Sequence, residues 1–311
     1  MAGPRPPTRA CLALRFALGL ALVLAAPAAP GETPPRPAPV DIALLPDRAG
    51  PDRDNVVTVG ICSGALIASD LVLTAGHCWS GGHRAERPDG AEPHLCPRLP
   101  DQARVQGAAW EDSARWYPAR NGGTIRVGLS SDAPDMTLQA VAYSLPRCAD
   151  LALLRLAQPV PDTLARPLPI LTAPPFAGRL PNRDALRHAS FAAQPNDPAP
   201  AALRHTGPVA FWGANACVLV GLPPLRADGR RLTGGDSGAP LLMRPDSGEE
   251  IVAGILFVIG QPDPPACGPI LPAPREQHGS WTPTWRPPVP GTEATDIGAW
   301  LRRMAPEADH R

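Results

Sequence analysis

Thr233-Gly234-Gly235-Asp236-Ser237-Gly238-Ala239-Pro240 is the stretch on which the reading of this chain turns. Glycines on both sides of Ser237 let the backbone take sharp dihedrals, and such a turn points the amides of Gly235 and Ser237 the same way. Two convergent amides can form an oxyanion hole, which stabilises charge developing on a carbonyl oxygen. A serine hydroxyl is a poor nucleophile unless a base takes its proton and a carboxylate orients that base. Gly-Asp-Ser-Gly by itself is equally an ordinary polar turn. The reading therefore depends on partners elsewhere in the chain.

Those partners are present. Cys62 to Cys78 reads Cys-Ser-Gly-Ala-Leu-Ile-Ala-Ser-Asp-Leu-Val-Leu-Thr-Ala-Gly-His-Cys, two short apolar runs broken at Ser69-Asp70 and ending on His77 beside a cysteine. Two such runs around a turn predict a hairpin. Asp150 stands immediately before Leu-Ala-Leu-Leu-Arg-Leu, a run whose apolar residues anchor a strand in a core.

Taken together, Leu73-Thr74-Ala75-Gly76-His77-Cys78, Asp150-Leu151-Ala152-Leu153-Leu154 and Gly235-Asp236-Ser237-Gly238-Ala239-Pro240 resemble the three motifs of the trypsin/chymotrypsin-like serine proteases. The order His, Asp, Ser separates that family from subtilisin-like and α/β-hydrolase enzymes. The resemblance implies His77 as general base and then acid, Asp150 as its orienting carboxylate, Ser237 as nucleophile, and the Gly235 and Ser237 amides as the oxyanion hole. It also implies a disulfide between Cys62 and Cys78. The implied fold is all-β, two six-stranded antiparallel barrels of the chymotrypsin type with a short C-terminal helix. Outside these motifs and the C-terminal stretch the match is thin.

The departures are specific. The family's specificity site, counted back from the nucleophile, falls on Arg231, which suits acidic side chains; a shifted loop would bring Asp228 there instead. Phe257, Val258 and Ile259 lie on the strand expected beside the substrate and would narrow the pocket. Trypsin-like zymogens expose an Ile or Val followed by Val-Gly-Gly, whose ammonium pairs with the aspartate before the nucleophile. No such sequence stands in the Pro-rich lead, so an internal arginine is expected to pair with Asp236.

A chain of 311 residues with 44% apolar content can bury one large or two medium cores. Its formal net charge is zero and all its Lys+Arg charge is arginine, which argues against electrostatic capture of nucleic acid or an anionic membrane as the main activity. Arg5, Arg9 and Arg15 precede the apolar run Phe16 to Ala26 and then Ala26-Pro27-Ala28, so residues 1–28 read as a secretory signal peptide. Of seven cysteines, Cys11 falls in this leader, and an even remainder in an exported chain suggests disulfides rather than metal ligands. With Cys62 and Cys78 paired by resemblance, Cys96, Cys148, Cys217 and Cys267 allow three connectivities; Cys96 with Cys148 and Cys217 with Cys267 keeps each pair within one half of the chain. A zinc site from His77, His83, His94 and Cys96 fits no familiar spacing. No metal and no cofactor is expected.

Residues 29–54, rich in Pro and Ala, read as a linker or pro-segment. Folded structure is expected over 55–304, with the first barrel at about 55–165, the second at about 166–294 and the closing helix at 295–304, capped by Thr295. Trp79 to Pro118 reads as surface loops, and Pro159 to Pro200 as the crossing between barrels. The expected function is a secreted serine endopeptidase, released or periplasmic, acting as a monomer on a protein or peptide substrate. A protease-shaped binding or scaffold protein, and an esterase using the same three residues, are the alternatives.

Overall fold

A computed structural model describes residues 45–47, 49–80, 115–119, 123–146, 149–174, 185–191, 203–215, 217–225, 229, 231–245, 248–259, 277–288 and 295–311. Residues 1–28, read as a signal peptide, most of the Pro/Ala-rich lead, residues 81–114, and Cys96, Cys148 and Cys267 lie outside them. Fifteen strands, two short helices and one 3-10 turn are described: β1 (Leu45–Pro46), β2 (Val56–Val59), β3 (Cys62–Ala68), β4 (Leu71–Thr74), α1 (Gly76–Ser80), β5 (Tyr117–Pro118), β6 (Thr124–Val127), β7 (Met136–Ser144), β8 (Ala152–Leu156), β9 (Leu186–Ser190), β10 (His205–Pro208), β11 (Ala210–Ala214), β12 (Leu219–Leu222), β13 (Pro240–Met243), β14 (Ile251–Ile259), β15 (Gly279–Pro283) and α2 (Ile297–Met304). The protein is nearly all β, and every strand pairing is antiparallel.

The first sheet runs β5-β7-β6-β2-β3-β4-β8, and a further pairing of β7 with β8 closes six of its strands into a barrel. Its register begins at the β2–β3 hairpin, where Val59 faces Cys62 across Gly60-Ile61. Gly60 has φ +60°, the left-handed value that the tight turns of two-residue hairpins require. Closure buries both faces of the same strands. Val57, Val59, Leu66, Val72 and Leu154 fill the barrel, whereas Val56, Ala65, Ile67, Leu71, Leu73 and Leu153 face outward into a second core. The alternation of side chains along a strand thus divides one sequence between two cores.

The second sheet runs β1-β10-β9-β13-β14-β15-β12-β11. Six of these strands match the expected count, and β10 and β1 extend the edge beyond β9. Together the two sheets make the chymotrypsin-type pair of barrels, with the first closed by its own pairings and the second a longer open sheet. Leu186, Val209, Leu219, Leu241, Leu256 and Trp281 fill the second. The outward core of the first barrel continues through Ala189, Phe191, Leu242, Val252 and Ile255 of the second, so the seam between the sheets is packed with apolar side chains.

Helix α2 closes that seam. Ile297, Trp300, Leu301 and Met304 are buried at helical spacing. Its cap is Asp296 and not Thr295: the Asp296 carboxylate accepts the Ala299 amide at 2.8 Å, and the helix starts at Ile297, two residues after the expected 295. Asp is as good a cap as Thr, and here it holds the extended dihedrals that the position needs.

Part of the segment read as linker belongs to the fold. β1 pairs with β10, and Asp47 and Asp54 bind the guanidinium of the fully buried Arg204 at 2.9 and 2.8 Å. β9 lies inside the stretch read as crossing, and Trp79, read as the start of a surface loop, is buried in the first barrel.

Candidate active site

His77 follows the end of β4 and stands in the first turn of α1, next to Cys78. Cys78 is joined to Cys62 at the start of β3 by a disulfide, so the histidine is tied to the barrel by its neighbour. Asp150, only 4% exposed, precedes β8, and β8 pairs with β4 in a register that sets Ala152 opposite Thr74. That pairing carries Asp150 to His77. Its Oδ1 accepts the His77 backbone amide at 2.7 Å, and its Oδ2 lies 2.6 Å from His77 Nδ1. Gly76 permits the approach, since a Cβ there would sit 3.0 Å from Asp150 Oδ1.

An ionised carboxylate only accepts hydrogen bonds, so the Nδ1 side of the ring carries the proton and Nε2 presents a lone pair. Burial of the imidazole opposes its charge, but the hydrogen bond and the negative charge of Asp150 outweigh this and raise the His77 pKa above 6.5. Cys62, His77 and Cys78 bring potential ligand atoms within 4.8 Å of one another. The two sulfurs are bonded to each other, so neither is a thiolate that could bind a metal.

Ser237 reaches the same place from the other sheet. Ser63, the residue after Cys62, donates its amide to Ser237 O at 2.8 Å. Gly238 has φ +82°, and a Cβ there would lie 2.0 Å from Ser63 O and 2.3 Å from Thr74 Oγ1. Only glycine lets the turn press this closely on the strands that lead to His77. The structure therefore joins His77 and Asp150 directly and docks the Ser237 turn on the strands beside them. Among the described residues no hydrogen bond links Ser237 Oγ to the ring.

The turn itself is a 3-10 turn over Gly234–Asp236, closed by Asp236 N to Thr233 O at 3.1 Å. A regular turn of this kind directs each carbonyl at the amide three residues on, and so occupies amides that an oxyanion hole would need. Two convergent amides at Gly235 and Ser237 require the Gly234–Gly235 peptide to face the other way.

Asp236 is fully buried. It accepts the Thr233 amide at 2.6 Å and the Ser190 hydroxyl, and faces His188 Nε2 at 3.3 Å. Among the described residues His188 is a basic side chain that stands against it. His188 and Ser190 were legible only as alternate residues of a strand, and proline had hidden that strand.

Arg231 is 5% exposed; its guanidinium donates to Pro223 O at 2.5 Å and its amide to Gln277 Oε1 at 2.7 Å. Phe257 is half-buried at a bulge of β14, close to the nucleophile turn because Gly238 N donates to Leu256 O at 2.7 Å. The backbones of Val258 and Ile259 pair with Ser280 and Gly279. Asp228 lies outside the described residues. Cys217 is disulfide-bonded, and Cys267, its expected partner, lies outside them too.

The fold is the two-barrel β architecture of the chymotrypsin class, with a histidine–carboxylate pair and a glycine-flanked serine at the junction of its sheets. No family model matches this chain, and no curated protein matches it.

Proposed function

We propose that this protein is a serine hydrolase that cleaves peptide bonds through an acyl-enzyme. The observation that carries the reading is the two-point grip of Asp150 on His77, which leaves the lone pair on Nε2. In this reading His77 takes the Ser237 proton as Oγ attacks a carbonyl, and Asp150 stabilises the imidazolium. The Gly235 and Ser237 amides receive the oxyanion once the Gly234–Gly235 peptide has turned. His77 then protonates the leaving amine, and water repeats the cycle to release the acyl group. The mechanism calls for no cofactor.

Arg231 and Phe257, with the backbone of β14 through Val258 and Ile259, are the residues proposed to shape the pocket for the side chain before the scissile bond. The disulfide fits an exported protein, and among the described residues no helix is long and apolar enough to cross a membrane. Secretion, a monomeric state and a protein or peptide substrate complete the proposal.

A second reading, a protease-shaped binding protein, is favoured by one observation, the 3-10 form of the turn before Ser237. A fluorophosphonate probe separates the two. Covalent labelling of the wild type and none of Ser237→Ala supports the hydrolase, and cleavage of peptides as well as simple esters supports the peptidase. No labelling of either protein overturns the reading.

A further inference from the structure

We propose that Ser63 is a positioning residue that sets Ser237 against His77. The inference rests on the hydrolase reading above and assigns a role that none of the three motifs contains.

All three polar groups of Ser63 are used, the hydroxyl twice, and the residue is fully buried. Its amide donates to Ser237 O at 2.8 Å. Its hydroxyl accepts from the Phe191 amide at 2.9 Å and lies 3.1 Å from Gly235 O. A backbone amide can only donate, so the one hydroxyl proton is left for the Gly235 carbonyl. Its own carbonyl accepts the Thr74 hydroxyl at 2.7 Å. One residue of β3 therefore holds the carbonyls of Gly235 and Ser237, which bracket Asp236.

Fixing two carbonyls on either side of Asp236 restrains the dihedrals of Asp236 and Ser237, and with them the direction of the Ser237 Cα–Cβ bond. Asp236 itself is held by Ser190, His188 and the Thr233 amide. The nucleophile turn is thus clamped between β3 and β9.

Ser63 also lies on a short route from base to nucleophile. His77 adjoins Cys78, Cys78 is bonded to Cys62, and Cys62 adjoins Ser63. Every link is a covalent bond or a buried hydrogen bond. Removing the hydroxyl leaves the Phe191 amide and the Gly235 carbonyl without this partner and frees the turn to shift. A displacement of about 1 Å at a reacting group costs about 100-fold in rate.

The test is the rate constant for acylation by a fluorophosphonate, measured from pH 5 to 9 well below the unfolding temperature, for wild type, Ser63→Ala and Ser63→Thr. Ser63→Ala should lower the plateau about 100-fold with the pH midpoint unchanged, because the His77–Asp150 pair is untouched. With a peptide ester, kcat should fall by a similar factor and KM should change little. Ser63→Thr, which keeps the hydroxyl, should recover most of the rate. A purely structural role lowers the melting temperature of Ser63→Ala but leaves its plateau at the wild-type level, and that outcome overturns the inference while the hydrolase reading stands. A wild type that does not label overturns both.

Discussion

Asp150 holds His77 at two points, the backbone amide with one carboxylate oxygen and the ring Nδ1 with the other. The double contact fixes ring position and tautomer together. An Asp150→Asn substitution keeps the shape but can present an N–H toward Nδ1, which moves the ring proton to Nε2 and removes the lone pair there. Acylation of Ser237 should fall by about 10⁴-fold. The pH profile adds a sign. In the wild type the raised His77 pKa should put the midpoint of the acylation rate above 6.5, with the rate rising as the ring loses its proton. In Asp150→Asn the contributions that raise the pKa are gone and burial remains, so the midpoint of any residual rate should move below 6.5. An unmoved midpoint would detach the titration from this pair.

Gly238 and Gly60 give a matched comparison. Both have positive φ, +82° and +60°. A side chain at Gly60 meets nothing within 4 Å, whereas one at Gly238 meets the Ser63 carbonyl at 2.0 Å. Gly60→Ala should cost only the left-handed backbone penalty, about 1–2 kcal/mol. Gly238→Ala adds a collision with backbone and should cost at least about 3 kcal/mol. Urea denaturation with a common m-value measures the difference, and equal midpoints would mean that the turn does not press on β3.

Much of this architecture was written in local pattern. Val56 to Val59, Leu71 to Thr74 and Ile251 to Ile259 are β-branched or apolar runs bounded by turn residues, and they fold as strands. The three motifs located His77, Asp150 and the Ser237 turn in sequence, and the β4–β8 register brings the first two together. What stayed hidden depends on contacts far apart in the chain. Ser63 and Gly235 are 172 residues apart and His188 and Asp236 are 48 apart, and neither pairing leaves a periodic trace. Strand β1 is two residues of a proline-rich lead, recognisable only through β10 and the ion pairs of Arg204. The 3-10 form of the nucleophile turn was illegible for another reason: two adjacent glycines permit several turn types equally.

Glu250 sets an acid limit on stability. Burial raises its pKa, but hydrogen bonds from Arg187 and the charges of Arg187, Arg53 and Arg244 outweigh this and hold it below 4.5. A carboxylate whose folded pKa is lowered contributes stability that is complete above its unfolded value and is lost as pH falls through the folded one. Unfolding free energy should therefore decline below about pH 4.5. Glu250→Gln should lower stability at pH 7 by about 2 kcal/mol and flatten this part of the pH profile. Urea titrations at pH 3, 4, 5 and 7 test both statements, and an equally steep acid decline in the variant would assign it to other carboxylates.

Gly235 should trade stability against rate. Thr233 to Asp236 closes by the same amide-to-carbonyl bond whether its central peptide faces one way, as in the 3-10 form seen here, or the other, as in a type II turn. The second form reverses the central peptide and requires positive φ at Gly235, which is not among the glycines with that geometry. If substrate draws the turn into the second form, Gly235→Ala penalises only the acylating state, by about 1–2 kcal/mol, and acylation should slow about 10-fold. The resting 3-10 form has backbone dihedrals that alanine adopts, and the lost freedom of the unfolded chain should raise stability by about 0.4–1 kcal/mol. Slower labelling together with a higher urea midpoint is the expected pair of results. A slower rate with lower stability would point instead to a clash in the resting turn, and an unchanged rate would mean that Gly235 does not need positive φ during acylation.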